Sequence, residues 1–72
     1  MTLEMLFEVV RAIVHPDYNV SVGYAYRSWA EPHYTVTVTT NGKDGGCWYH
    51  ESPKALLKEH ITEILACAEA PQ

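Results

Sequence analysis

Cys47 and His50 are the first residues to weigh for chemistry, because a thiol beside an imidazole is an activated nucleophile at neutral pH. They sit in Cys47-Trp48-Tyr49-His50, a segment of strand-forming composition. Residues i and i+3 of a strand point to opposite faces, so this pair does not meet. His60 would reach Cys47 only through tertiary packing, and a packed thiol is the simpler reading of Cys47. His15, His33, His50 and His60 fall in four separate segments without ligand spacing, so no metal is expected. Gly23, Gly42, Gly45 and Gly46 form neither GxGxxG nor GxxxxGK, which leaves nucleotide chemistry without a phosphate cradle. Paired carboxylates for acid–base work need a cleft, and so small a domain has little volume for one. The chain is expected to be non-catalytic and to use no cofactor.

Its 72 residues make one domain spanning 1–72. A chain of this length buries only about 60% of its unfolded surface, so its core is thin. Nine Asp and Glu outnumber five Lys and Arg, giving a formal charge of −4. That balance disfavours a nucleic-acid binder, which usually shows a basic patch, and suits a protein partner with a basic surface. Cys47 and Cys67 stand apart with no CxxC pair, so neither a disulfide framework nor a zinc site is expected, and both thiols should be reduced and partly buried. No apolar run approaches the ~20 residues of a membrane span. Glu4 and Glu8 interrupt the first apolar stretch and no basic leader precedes it, so a soluble, cytoplasmic protein is expected.

The elements that must position any site read clearly. Leu3, Leu6, Phe7, Val10, Ile13 and Val14 recur at helical spacing over Thr2 to Val14, with Glu4, Glu8, Arg11 and His15 opposite and Thr2 as N-cap. His15-Pro16-Asp17 stops that helix. A strand from Asn19 to Ser28 sets Val20, Val22, Tyr24 and Tyr26 against Ser21, Gly23, Ala25 and Arg27. Ser28 to Pro32 reads as a loop, and a second strand alternates Tyr34, Val36 and Val38 with Thr35, Thr37 and Thr39 up to an Asn41-Gly42 hairpin turn. Lys43-Asp44-Gly45-Gly46 reads as an extension of that turn, before a short third strand over Cys47 to His50. Ser52 as N-cap and Pro53 at the first position begin the last helix, whose apolar face is Leu57, Ile61, Ile64, Leu65 and Ala68 with Leu56 on the shoulder. The predicted fold is α+β, in the order α-β-β-β-α, with two helices on one face of a three-stranded antiparallel sheet.

Two helices cover one sheet face, so the other must meet water, a partner or a second copy of the chain. If the valines face the helices, the open face holds Ser21, Gly23, Ala25, Arg27, Thr35, Thr37 and Thr39, joined by either Trp48 and His50 or Cys47 and Tyr49. Tyr24, Tyr26 and Tyr34 are expected in the core, leaving Trp29 and Trp48 or Tyr49 as contact aromatics.

The element order, with Leu6-Phe7-Glu8 on the first helix, Pro32-His33, the strand His33 to Val38, Gly42-Lys43 and Ser52 before the last helix, resembles the double-stranded-RNA-binding domain. The resemblance covers nearly the whole chain. It implies Glu8 and His33 in successive RNA minor grooves and Lys54 and Lys58, with Lys43 at the turn, on phosphates. The Gly that precedes Pro in that family's loop is absent from Ala30-Glu31-Pro32-His33, and the lysine cluster is reduced to Lys54 and Lys58.

Size and acidity also resemble small phage-encoded inhibitors, including anti-CRISPR proteins, which work in the host cytoplasm. That likeness implies carboxylates posing as phosphates: Glu4 and Glu8 on one helix, Glu59, Glu63 and Glu69 on the other, with Asp44 and Glu51 extending the row. Trp29 or Trp48 would anchor the interface. A protein-binding inhibitor is therefore the first expectation and a degenerate RNA-binding or dimerisation module the second, a homodimer forming through the open sheet face.

Overall fold

Leu6 and Val10 lie one helical turn apart and are wholly buried, and the first helix, α1 (Leu3–Ile13), forms around them. The structure, a computed structural model, describes residues 1–27, 30–40 and 43–70, and only the backbone of residues 26, 27, 30, 31, 43 and 44. Thr2 caps α1, its hydroxyl accepting from the Met5 N–H at 3.1 Å. Arg11 closes the other end. Its guanidinium donates to the carbonyls of Tyr18 at 2.7 Å, His15 at 2.7 Å and Val14 at 3.2 Å. Sequence spacing puts Arg11 on the water side; the unpaired carbonyls of a helix cut off before Pro16 draw it back over the turn instead.

Three strands follow: β1 (Asn19–Arg27), β2 (Ala30–Thr40) and β3 (Lys43–His50), antiparallel in the order β1-β2-β3. The second helix, α2 (Pro53–Ala66), completes the α-β-β-β-α order of an α+β fold. Val20 pairs with Val38, Val22 with Val36 and Tyr24 with Tyr34. Val36 in turn pairs with Trp48 and Tyr34 with His50, so Trp48 and His50 share the valine face and Cys47 and Tyr49 take the other.

The hairpins are longer than the sequence suggests. β2 begins at Ala30, where a loop to Pro32 is expected, and β3 begins at Lys43, where a loop to Gly46 is expected. Thr40 pairs with Lys43 and Arg27 with Ala30 across two-residue links. The Asn41-Gly42 turn and Ser28-Trp29 lie outside the described residues. The glycines are absorbed by a bulge: Val38 pairs with Gly46 and Thr39 with Asp44, leaving Gly45 as the extra residue. A Cβ on Gly45 would stand 3.1 Å from the Tyr18 ring and 3.2 Å from the Val38 side chain, so a larger residue there needs both neighbours to give by a few tenths of an ångström. The register of β1 on β2 also shifts between Ala25 and Arg27, beside Pro32, which has no N–H to give the ladder.

Val36, Val38 and Trp48 form the floor of the core, and Leu6, Val10, Val14, Leu56, Ile64 and Cys67 of the two helices form its roof. Ser52 caps α2 as expected, its hydroxyl accepting from Ala55 N–H at 3.4 Å, with Pro53 opening the helix. The buried face of α2 differs from the expected stripe. Pro53, Leu56, Ile64 and Cys67 point inward, Leu57 is a shoulder, Leu65 is 51% exposed and Ala68 is exposed. The apolar ends Pro53 and Cys67 set this rotation. Cys67 seats its thiol towards the Gly45 and Glu63 carbonyls, and its own carbonyl accepts from His15 N–H at 2.9 Å, joining the helix ends.

Trp48 lies along its own strand over Gly46, where a Cβ would stand 2.4 Å from the indole. Gly46→Ala should therefore destabilise the fold by about 1–3 kcal/mol through overpacking, read as a lower urea midpoint with shifted tryptophan emission. An unchanged midpoint would show that the indole does not occupy that space.

Candidate partner-binding surface

The carboxylates expected to meet a partner stand outside this core. Glu4 and Glu8 are exposed on α1; Glu51, Glu59, Glu63 and Glu69 are exposed before, on and after α2. Asp44 belongs to β3, with its side chain outside the description. Among the described residues no carboxylate pairs with a lysine or arginine. The pairs that do form use histidine: Glu59 Oε2 lies 3.4 Å from His50 Nε2, Glu63 Oε1 3.9 Å from His60 Nδ1 and Asp17 Oδ2 3.8 Å from His15 Nδ1. Arg11 is occupied by three carbonyls, which leaves Lys54 and Lys58 as the exposed cations of the described side chains.

His50 does more than face Glu59. Its Nδ1 accepts from the Ser52 N–H at 3.2 Å, which puts the ring proton on Nε2 towards the carboxylate. His15 repeats the arrangement at the α1–β1 turn, its Nδ1 accepting from Asp17 N–H at 3.1 Å. Both junctions between helix and sheet are thus clipped by a histidine two residues before the donor.

Helices on α2's spacing separate the charges. Lys54 and Lys58 are one turn apart on one side, and Glu59 and Glu63 one turn apart on another, about 140° round the helix at 3.6 residues per turn. Glu59 and Glu63 turn towards β3, as the His50 contact shows.

The aromatic expectations divide. Trp48, proposed from sequence as an interface anchor, is 9% exposed and belongs to the core, because the register turns it towards the helices. Trp29 lies outside the described residues, as does the Tyr26 side chain. Tyr34 packs against the core, but Tyr24, expected there too, is 55% exposed. A helix of 11 residues spans about 16 Å and a strand of 11 about 36 Å, so β1 and β2 overrun the helices at the end that carries Tyr24. There the Tyr24 and Tyr34 rings pack at 4.7 Å between centroids, tilted 60° to one another. On the opposite face Tyr49, 68% exposed, meets His33 edge-on at 5.8 Å. Parity alone could have named Tyr49, once Val36 was known to pair with Trp48.

His33 therefore stands within β2, paired with Ala25, on the sheet face away from the helices. The resemblance to the RNA-binding domain implies a loop histidine acting beside Glu8, Lys54 and Lys58. Those three are on the helical layer, exposed, and Lys43 is described only as backbone of β3. Cys47 is exposed on the open face, its sulfur 3.5 Å from Thr37 Oγ1, and not the packed thiol expected. Cys67 is buried, and burial raises its thiol pKa above the ordinary value. No group of three or more metal-ligating side chains occurs among the described residues, and no described helix is long and apolar enough to cross a membrane. Comparison with protein families, curated proteins and solved structures finds no match for the chain in any of the three.

The two thiols should separate cleanly. In the folded protein Cys47 should react with a disulfide reagent such as DTNB at pH 8 while Cys67 reacts only on unfolding, giving one fast thiol and two in denaturant. Because the folded state holds Cys67 as the neutral thiol, its contribution to stability is complete below the ordinary thiol pKa and is lost as pH rises through the raised one. Two fast thiols in the native protein would contradict the burial of Cys67.

Proposed function

We propose that this protein is a non-catalytic binding module that docks on the basic surface of a protein partner and blocks nucleic acid from it, in the manner of small acidic phage-type inhibitors. One observation carries the reading: seven carboxylates, those of Glu4, Glu8, Asp17, Glu51, Glu59, Glu63 and Glu69, are exposed, and none is neutralised by a described lysine or arginine. A surface of that kind attracts Lys and Arg side chains and repels phosphates. Glu59 and Glu63 are the pair best placed to act, since they lie one turn apart on one side of α2, with His50 Nε2 3.4 Å from Glu59.

The competing reading, a degenerate double-stranded-RNA-binding module, draws on the α-β-β-β-α order and on exposed Lys54 and Lys58. It is weakened by His33, which lies across the sheet from those lysines. A labelled RNA duplex of about 20 base pairs, longer than the ~16 such a domain spans, separates the two. At low salt we expect no binding. A wild-type chain immobilised on resin should retain a nucleic-acid-binding protein from extract of the source cells, released by added duplex and no longer held by Glu59→Lys/Glu63→Lys. Salt-sensitive duplex binding that disappears in Lys54→Ala/Lys58→Ala would overturn the proposal in favour of RNA recognition.

A further inference from the structure

The outer side of α1 carries a second apolar ridge. Met5 and Val9, one turn apart, are 50% and 37% exposed; exposed Ala12 continues the line and Met1, 50% exposed, begins it. None of these belongs to the core cluster or its packed rim. Large apolar side chains aligned on the solvent side of a helix mark a contact surface more than scattered single ones do. Along one flank of the ridge run Glu4, Glu8 and Arg11, acidic in the first two turns of the helix and basic in the last.

That polarity identifies the occupant. When two identical helices pack antiparallel about a two-fold axis, each flank meets the same flank of its copy, running the other way. With the axis near Val9, Val9 meets its own copy and Met5 meets Ala12 of the second chain. On the flank, Glu8 then falls beside Arg11 of the second chain. Arg11 has capacity for this: a guanidinium has five N–H donors, and three hydrogen bonds to carbonyls leave two. Parallel packing about a two-fold axis would instead set this flank against the opposite one, so that Glu8 and Arg11 would not meet, and antiparallel helix dipoles add a small gain.

We infer that the outer face of α1 is a self-association surface, on which a second copy docks antiparallel through Met5, Val9 and Ala12, with Glu8 paired to Arg11. The contact is independent of the masking reading, because it leaves Glu59 and Glu63 free.

Sedimentation equilibrium of the full chain from about 5 to 500 µM tests it. The expected result is a monomer–dimer equilibrium whose dissociation constant rises at least tenfold in Val9→Lys, with circular dichroism unchanged. A second variant does not depend on that substitution being tolerated: Val9→Cys in a Cys47→Ser background should cross-link to itself under mild oxidation, while Leu65→Cys in the same background should not. A monomer at every concentration overturns the proposal. So does a dimer indifferent to Val9→Lys and uncross-linked at Val9, which would assign the contact to the sheet face bearing Cys47 and Tyr49.

Discussion

The fit of the Trp48 indole over Gly46 decides which way every residue of β3 faces. The ring needs the space that a side chain at Gly46 would fill, and the Gly45 bulge next to it lets the strand close on Tyr18 and Val38. Shifting β3 by one residue would exchange its faces, burying Cys47 and Tyr49 and exposing the indole. The same bulge receives the thiol of Cys67, so the end of α2, the rotation of its buried face and the outward side carrying Glu59 and Glu63 all follow from how β3 is seated. What the protein offers to a partner is in this sense set from inside.

Charge is managed at the junctions without lysine or arginine being spent on carboxylates. Arg11 satisfies backbone carbonyls where α1 stops, and His15 and His50 accept backbone N–H groups where the chain turns into and out of the sheet. Using histidine and one arginine for these local tasks leaves the described glutamates without a lysine or arginine partner among the described residues. A surface salt bridge contributes about 0–1 kcal/mol, so little stability is forgone by leaving them unpaired. Their full charge remains available at the surface, which an interface steered by electrostatics needs.

Features with a local cause were legible in the sequence. Thr2 and Ser52-Pro53 cap their helices by bonds within one turn, and the alternation of valine and threonine in β2 states which face is buried. Features set by pairing between distant segments were not. Gly45 and Gly46 read as loop because their composition is that of a loop, yet the bulge and the indole give each a role inside a strand. The stripe Leu57-Ile61-Ile64-Leu65 is the more hydrophobic side of α2 taken alone, but Pro53 and Cys67 turn the helix so that Leu65 faces out. Of the candidate site, the exposed carboxylates could be read from charge alone. Trp48 could not be placed, since strand parity has no meaning until one cross-strand pair is known.

The two helices present surfaces of different character, and this bears on how one small chain could do two things. On α1 the carboxylates flank an apolar ridge and have Arg11 one or two turns further along the same helix, so a complement exists on a copy of the chain itself. On α2 the side bearing Glu59 and Glu63 has no such apolar ridge, Leu65 lies on the lysine side, and the nearest described partners are His50, already bonded to the Ser52 N–H, and His60 on the same helix. A copy of the chain has no described cation in register with that pair, because Lys54 and Lys58 are turned away from it. On the proposed reading the complement of α2 comes from a different, basic molecule, and pairing through α1 would carry two such faces in one assembly, where a second contact to the same target follows the first at a raised effective concentration.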